Sequence, residues 1–123
     1  MIELLSTIAE EMEKLNINYD YGLYKKTPIE YPYMVGKYFP SDFRYEDMTT
    51  EGEFLLEAWD RNLSFLNLVE LDNKIKKHFG DFKTIKNNVG ISISYFISSL
   101  EDSEDGELKK LQIRLEFSYW EGE

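Results

Sequence analysis

Residues 89–120 read VGISISYFISSLEDSEDGELKKLQIRLEFSYW, and this stretch decides the fold. Val89, Ile91, Ile93, Tyr95 and Ile97 alternate with Gly90, Ser92, Ser94, Phe96 and Ser98. Leu111, Ile113, Leu115, Phe117 and Tyr119 alternate in the same way with Gln112, Arg114, Glu116, Ser118 and Trp120. A period of two is the signature of a strand that buries one face. An acidic connector, Leu100 to Lys110, carries Asp105-Gly106 and joins the two runs. The stretch predicts a long C-terminal antiparallel hairpin with one wet face.

Upstream of it the period changes to that of a helix. Leu68, Leu71, Ile75 and Phe79 recur at spacings of three and four, and Lys74, Lys76, Lys77 and His78 crowd the C-terminal end, where the helix dipole favours cations. Asn67 with Glu70 reads as a capping box, and Gly80 as a left-handed residue closing the helix. A first helix is predicted over residues 2–15, with Ile2, Leu5, Ile8, Ala9, Met12 and Leu15 inward. Glu3, Ser6, Glu10, Glu11, Glu13 and Lys14 then fall on its wet face, and the run Asn16 to Asn18 ends it. Tyr19 to Tyr24 reads as a short strand, and Pro28 and Pro32 bracket a turn or an edge. Tyr31 to Phe39 and Glu53 to Arg61 read as strands, the second with Phe54, Leu56 and Ala58 on one side and Leu55 and Trp59 on the other. Residues 41–52 between them read as a polar loop. The expected architecture is a single α+β domain over residues 1–123: an antiparallel or mixed sheet of four to five strands with two helices on one face.

Composition sets the boundaries of function. The 123 residues carry 24 Asp plus Glu against 14 Lys plus Arg, a net charge of −10, with one histidine and no cysteine. Disulfides, thiolate metal sites and cysteine nucleophiles are excluded. A field of this sign repels polyanions and argues against ordinary DNA binding. No window approaches the ~18–20 unbroken apolar residues of a membrane helix, and the first residues are acidic and periodic, unlike a signal peptide. The expectation is an untargeted cytoplasmic protein with no membrane contact.

Residues that might carry chemistry are few. His78 stands alone, so neither a histidine pair for zinc nor a triad with histidine to spare can be built, and it reads as a helix C-terminal cation. Asp42, Glu46, Asp47 and Glu51 form one acidic cluster, and Glu101, Asp102, Glu104 and Asp105 another. Neither has the spacing of a calcium loop, so both read as solvated faces, the second also able to meet a basic partner. The glycines spell no phosphate-binding loop. Tyr31, Tyr33, Tyr38, Phe39, Trp59 and Trp120 belong to an aromatic set without the interleaved cations of a base-stacking platform, and core packing or a subunit interface suits them better. No catalytic residue, metal or cofactor is expected.

Three stretches carry a resemblance: residues 31–61 (YPYMVGKYFPSDFRYEDMTTEGEFLLEAWDR), 68–79 (LVELDNKIKKHF) and 108–120 (LKKLQIRLEFSYW). In their order and spacing they are similar to the tail-completion, or tail-terminator, proteins of long-tailed phages and prophages. The resemblance implies a non-enzymatic virion subunit that forms a ring, expected to be hexameric, on the head-proximal end of the tail tube. Such a ring stops tube growth and offers a docking surface to the head connector. It also implies assembly in the host cytoplasm before incorporation into the virion tail, tail-tube and connector proteins as partners, and DNA passing through without specific binding. An acidic lumen would suit that passage, because like charge prevents adhesion by counterion release. A different class remains open, a small acidic immunity or inhibitor protein whose carboxylates face a basic toxin. An enzyme ranks third, for want of a converging nucleophile, base and oxyanion group.

Overall fold

A computed structural model describes residues 2–44 and 49–121. The elements run α1 (Ile2–Lys14), β1 (Tyr19–Tyr21), β2 (Tyr33–Arg44), β3 (Thr50–Arg61), α2 (Leu66–Phe79), β4 (Phe82–Lys86), β5 (Val89–Asp102) and β6 (Leu108–Glu121). The class is α+β as expected, but the mixed sheet has six strands, in the order β1-β2-β3-β6-β5-β4. Only the β1–β2 pair is parallel.

The sixth strand, β4, escapes a reading that starts at Val89. It pairs with β5 through a two-residue turn at Asn87 and Asn88, both at positive φ, the geometry of the tight hairpin turn. The β2–β3 connection is also tighter than the expected loop over 41–52, because β2 runs on to Arg44 and β3 begins at Thr50. The acidic connector shrinks likewise, since β5 reaches Asp102 and β6 starts at Leu108. In both places polar residues continue the hairpin ladder, with Arg44 opposite Thr50 and Asp102 opposite Lys109.

The core lies on one face of the sheet. Its rows across the strands include Met34–Ala58–Leu111 and Tyr38–Phe54–Leu115–Tyr95. Leu4, Ile8 and Met12 of α1 and Leu68, Leu71, Ile75 and Phe79 of α2 join this single cluster. The α2 stripe is the expected one, whereas the α1 stripe is rotated: Ile2 and Ala9 are exposed, while Leu4, Thr7 and Glu11 are buried. The rotation turns Glu11 toward α2, where its carboxylate meets His78 Nε2 at 2.9 Å and accepts from Lys14 Nζ at 2.9 Å.

The run Asn16 to Asn18 ends α1 as expected, whereas the expected chemistry of both α2 ends fails. α1 ends in a Schellman arrangement, with Asn16 at φ 62°, Asn16 N donating to Glu13 O and Ile17 N to Met12 O. Asn67 lies within the first turn of α2 and is not its cap; its Nδ2 donates to Asp60 Oδ2 at 3.1 Å. Ser64 Oγ accepts from Leu66 N in its place. Gly80 keeps a right-handed helical backbone and is not a left-handed terminator.

The alternation expected of β5 breaks at a bulge. Tyr95 pairs with Leu115 but Ile97 pairs with Arg114, so Phe96 is the extra residue. Side-chain parity inverts beyond it. Ser98 then faces the helices and, with Tyr95 Oη, donates to the Asp72 carboxylate at 3.0 and 2.8 Å. Ile97, expected inside, is turned to the opposite face and is 53% exposed. Ile113→Ala, which empties a fully buried site, is expected to cost ~2–5 kcal/mol. Ile97→Ala should cost less than about 1 kcal/mol, and urea unfolding of the two variants checks the inverted parity.

Candidate functional site: the uncovered sheet face

Neither helix packs on the second face of the sheet, and β2, β3, β6 and β5 display four ordered rows there. They are Tyr33–Trp59–Lys110–Glu101, Val35–Glu57–Gln112–Ser99, Lys37–Leu55–Arg114–Ile97 and Phe39–Glu53–Glu116–Ser94. Each row joins residues far apart in sequence, so the face exists only in the folded chain.

At one end is an aromatic and cationic wall. Tyr33 stacks on Trp59 at 5.2 Å and on Tyr24 at 4.4 Å, and Tyr31 lies 5.6 Å from Tyr33. Lys110 sits 5.5 Å over the Trp59 ring and Arg61 5.9 Å over Tyr31. Beside the wall, Glu57 is buried between Lys37 at 3.0 Å and Lys110 at 2.7 Å. Burial pushes the Glu57 carboxyl up, but the hydrogen bonds from Lys110 and Lys37 outweigh it and leave its pKa below the ordinary carboxylate value. Both lysines are thereby spent on one acid.

The middle of the face sets apolar groups around Arg114, with Lys37 at the other end of its row and Glu53 in the next. Arg114 has Leu55 and Ile97 beside it in its row and exposed Phe39 and Phe96 nearby. Among the described residues it makes no hydrogen bond or ion pair. Two shallow depressions of about 290 and 250 Å³ flank it, sharing Gln112 and Arg114 in their walls. The next row sets Glu53 directly opposite Glu116, a like-charge pair that is unfavourable in an isolated sheet. At the far end Trp120 lies over Gly90, where a Cβ would run into the indole.

The aromatic residues singled out from sequence divide between the two faces. Tyr33, Phe39, Trp59 and Trp120 stand on the uncovered face, Tyr31 borders it, and Tyr38 lies on the helix side, stacked on Phe117 at 5.3 Å. The acidic clusters are kept at opposite ends of the strands. Asp42 falls within β2 and Glu51 within β3, while Glu46 and Asp47 lie outside the described residues. The second cluster is partly spent on its own turn. Asp105 accepts from Ser103 Oγ, Leu108 N and Glu107 N, bonds that hold its carboxyl well below the usual range, and Asp102 takes Lys109 Nζ at 2.8 Å. Glu101 and Glu104 remain exposed.

Glu57, Lys37, Lys110, Leu55 and Arg114 were not singled out from sequence as site residues. Alternation puts each on an outward position of its strand, but only the β2–β3 and β3–β6 registers gather them. Among the described residues no group of three His, Cys, Asp or Glu side chains is placed to hold a metal ion, and no helix is long and apolar enough to cross a membrane. No protein-family model matches the chain, and no curated protein matches it.

Glu57 and Glu11 both have carboxyls held below their ordinary value by cationic partners that outweigh the cost of burial. Such groups stabilise the fold fully above the unfolded-state value, roughly 4.3, and lose that contribution as the pH falls through the lower folded value. Denaturant unfolding is expected to show stability falling below pH ~4.3. Glu57→Gln should cost about 1–3 kcal/mol at neutral pH and flatten that acid limb.

Proposed function

We propose that this protein is a non-enzymatic virion subunit that caps the phage tail tube and joins it to the head connector as a ring. The observation that supports this reading is the sheet face that neither helix covers, where aromatic and apolar groups are interspersed with both cations and acids on a chain of net charge −10. Such a face is a binding surface and holds no converging reactive groups. The resemblance in residues 31–61, 68–79 and 108–120 supplies the particular assembly.

The ring contact is made through the face and not by adding strands at the sheet edges. β1 is three residues long and is followed by Pro28 and Pro32. Met34 and Gly36 turn their backbone groups toward β1, so by alternation Pro40 turns to the edge beyond it, where it has no N–H to offer. On the other side the Phe96 bulge distorts β5 where β4 no longer covers it. Short strands, prolines and bulges are the devices that keep sheets from pairing edge to edge.

Copies that each carry −10 repel one another, and salt screens that repulsion beyond roughly 8–10 Å. The ring is therefore weak alone, strengthened by ionic strength and completed on its tail-tube partner. Sedimentation velocity across a salt series, with negative-stain imaging for annuli with and without a tail-tube protein, tests this. Annuli are the expected result. A monomer under every condition overturns the reading, as does turnover of a small molecule, and a monomer that captures a basic toxin domain replaces it with the acidic-inhibitor reading.

A further inference from the structure

The ring reading leaves open which surfaces of two copies meet, and a second exposed apolar patch answers it. It lies at the start of α2, on the opposite layer from the uncovered sheet face. Leu63 is 81% and Leu66 60% exposed, and Val69 follows one turn on. Glu70 adjoins them at i+4 from Leu66 and, among the described residues, has no hydrogen-bond or ion-pair partner. The patch thus mirrors the middle of the sheet face in sign: apolar groups around one unpaired acid here, apolar groups around the unpaired Arg114 there.

Resting on the ring reading, we propose that a second copy of this chain seats its Leu63, Leu66 and Val69 on Phe39, Leu55 and Ile97 of the first, with Glu70 meeting Arg114. The contact joins the helix layer of one copy to the sheet face of the next, so it is heterologous. A heterologous contact gives a ring when its rotation closes and an open filament when it does not, whereas a patch that pairs with itself stops at a dimer. Four strands of about twelve residues present a face of roughly 19 by 40 Å, wide enough to seat that patch on the Arg114 row with further contacts around it. The opposed Glu53 and Glu116 flank the Arg114 row and deter a neighbour that brings acid to any other position, which fixes register. Pairing Arg114 with an acid from a neighbour also offsets some of the repulsion between copies.

A charge swap tests the contact in the full chain. Arg114→Glu and Glu70→Arg are each expected to weaken association, read by sedimentation, at least about tenfold. Mixing the two variants should restore it, because each interface then has one matched pair. Lys83→Glu, the same charge change on the edge strand β4, should weaken association far less than Arg114→Glu. The chain has no cysteine, so Ser99→Cys places a single thiol on the uncovered face, and its reaction with a maleimide should slow on assembly. Annuli that persist in the Arg114→Glu variant, or a thiol that stays equally reactive in the annuli, overturn this contact and leave the ring reading standing. Failure of the parent chain to associate with itself or with a tail-tube protein overturns both. Circular dichroism melting of each variant separates lost contact from lost fold, and the thiol measurement decides the matter if the charge variants do not fold.

Discussion

β3 and β6 pair antiparallel through twelve consecutive residue pairs, from Thr50 opposite Tyr119 to Arg61 opposite Leu108. This ladder joins the middle of the chain to its end, and it fixes both faces at once. On one side it aligns Phe54 with Leu115, Leu56 with Ile113 and Ala58 with Leu111, the floor on which both helices sit. On the other it brings Lys110 within reach of Glu57 and sets Arg114 beside Leu55. A slip of one residue would exchange the two faces, so the apolar floor that stabilises the fold also enforces the pattern of charges on the exposed side.

The two faces solve opposite problems. On the helix side the acids are paired: Asp72 takes hydrogen bonds from Tyr95 and Ser98, Asp60 from Asn67, and Glu11 is held by Lys14 and His78. On the bare face the Glu57 carboxylate consumes two lysines, and Arg114 is left with apolar neighbours and no acid in contact. A surface arginine amid phenylalanine, leucine and isoleucine is the composition of an interface centre, where large apolar groups exclude water and one charge selects the partner. The edges are blunted while the face is not, which disfavours backbone ladders with other chains.

Much of the scaffold was legible from periodicity. The inward residues of β6, the buried stripe of α2 and the inward Phe54, Leu56 and Ala58 of β3 follow from spacing alone, because a regular element repeats its buried side at a fixed interval. Errors clustered where one local signal stood for a tertiary outcome. Asn67 and Glu70 have the spacing of a capping box, yet Asn67 lies inside the first turn and donates to Asp60 near the end of β3. The α1 stripe admits more than one rotation, and packing against α2 chose the one that buries Glu11. The bulge at Phe96 cannot be seen in a run that alternates without a break, since only the β6 partner reveals the extra residue.

The candidate site divides along the same line. From the amino-acid order alone came the α+β class, the absence of cysteine chemistry, the acidic balance and the aromatic residues Tyr33, Phe39, Trp59 and Trp120 now found on the open face. Those properties are sums over residues or repeats along one element, so no folding is needed to read them. That Glu57 sits between two lysines, that Arg114 makes no ion pair among the described residues, and that Leu66 and Ile97 belong to opposite layers were decided by register, bulge and helix placement. These are relations between distant segments, fixed only when the chain closes its core and chooses which residues are left outside.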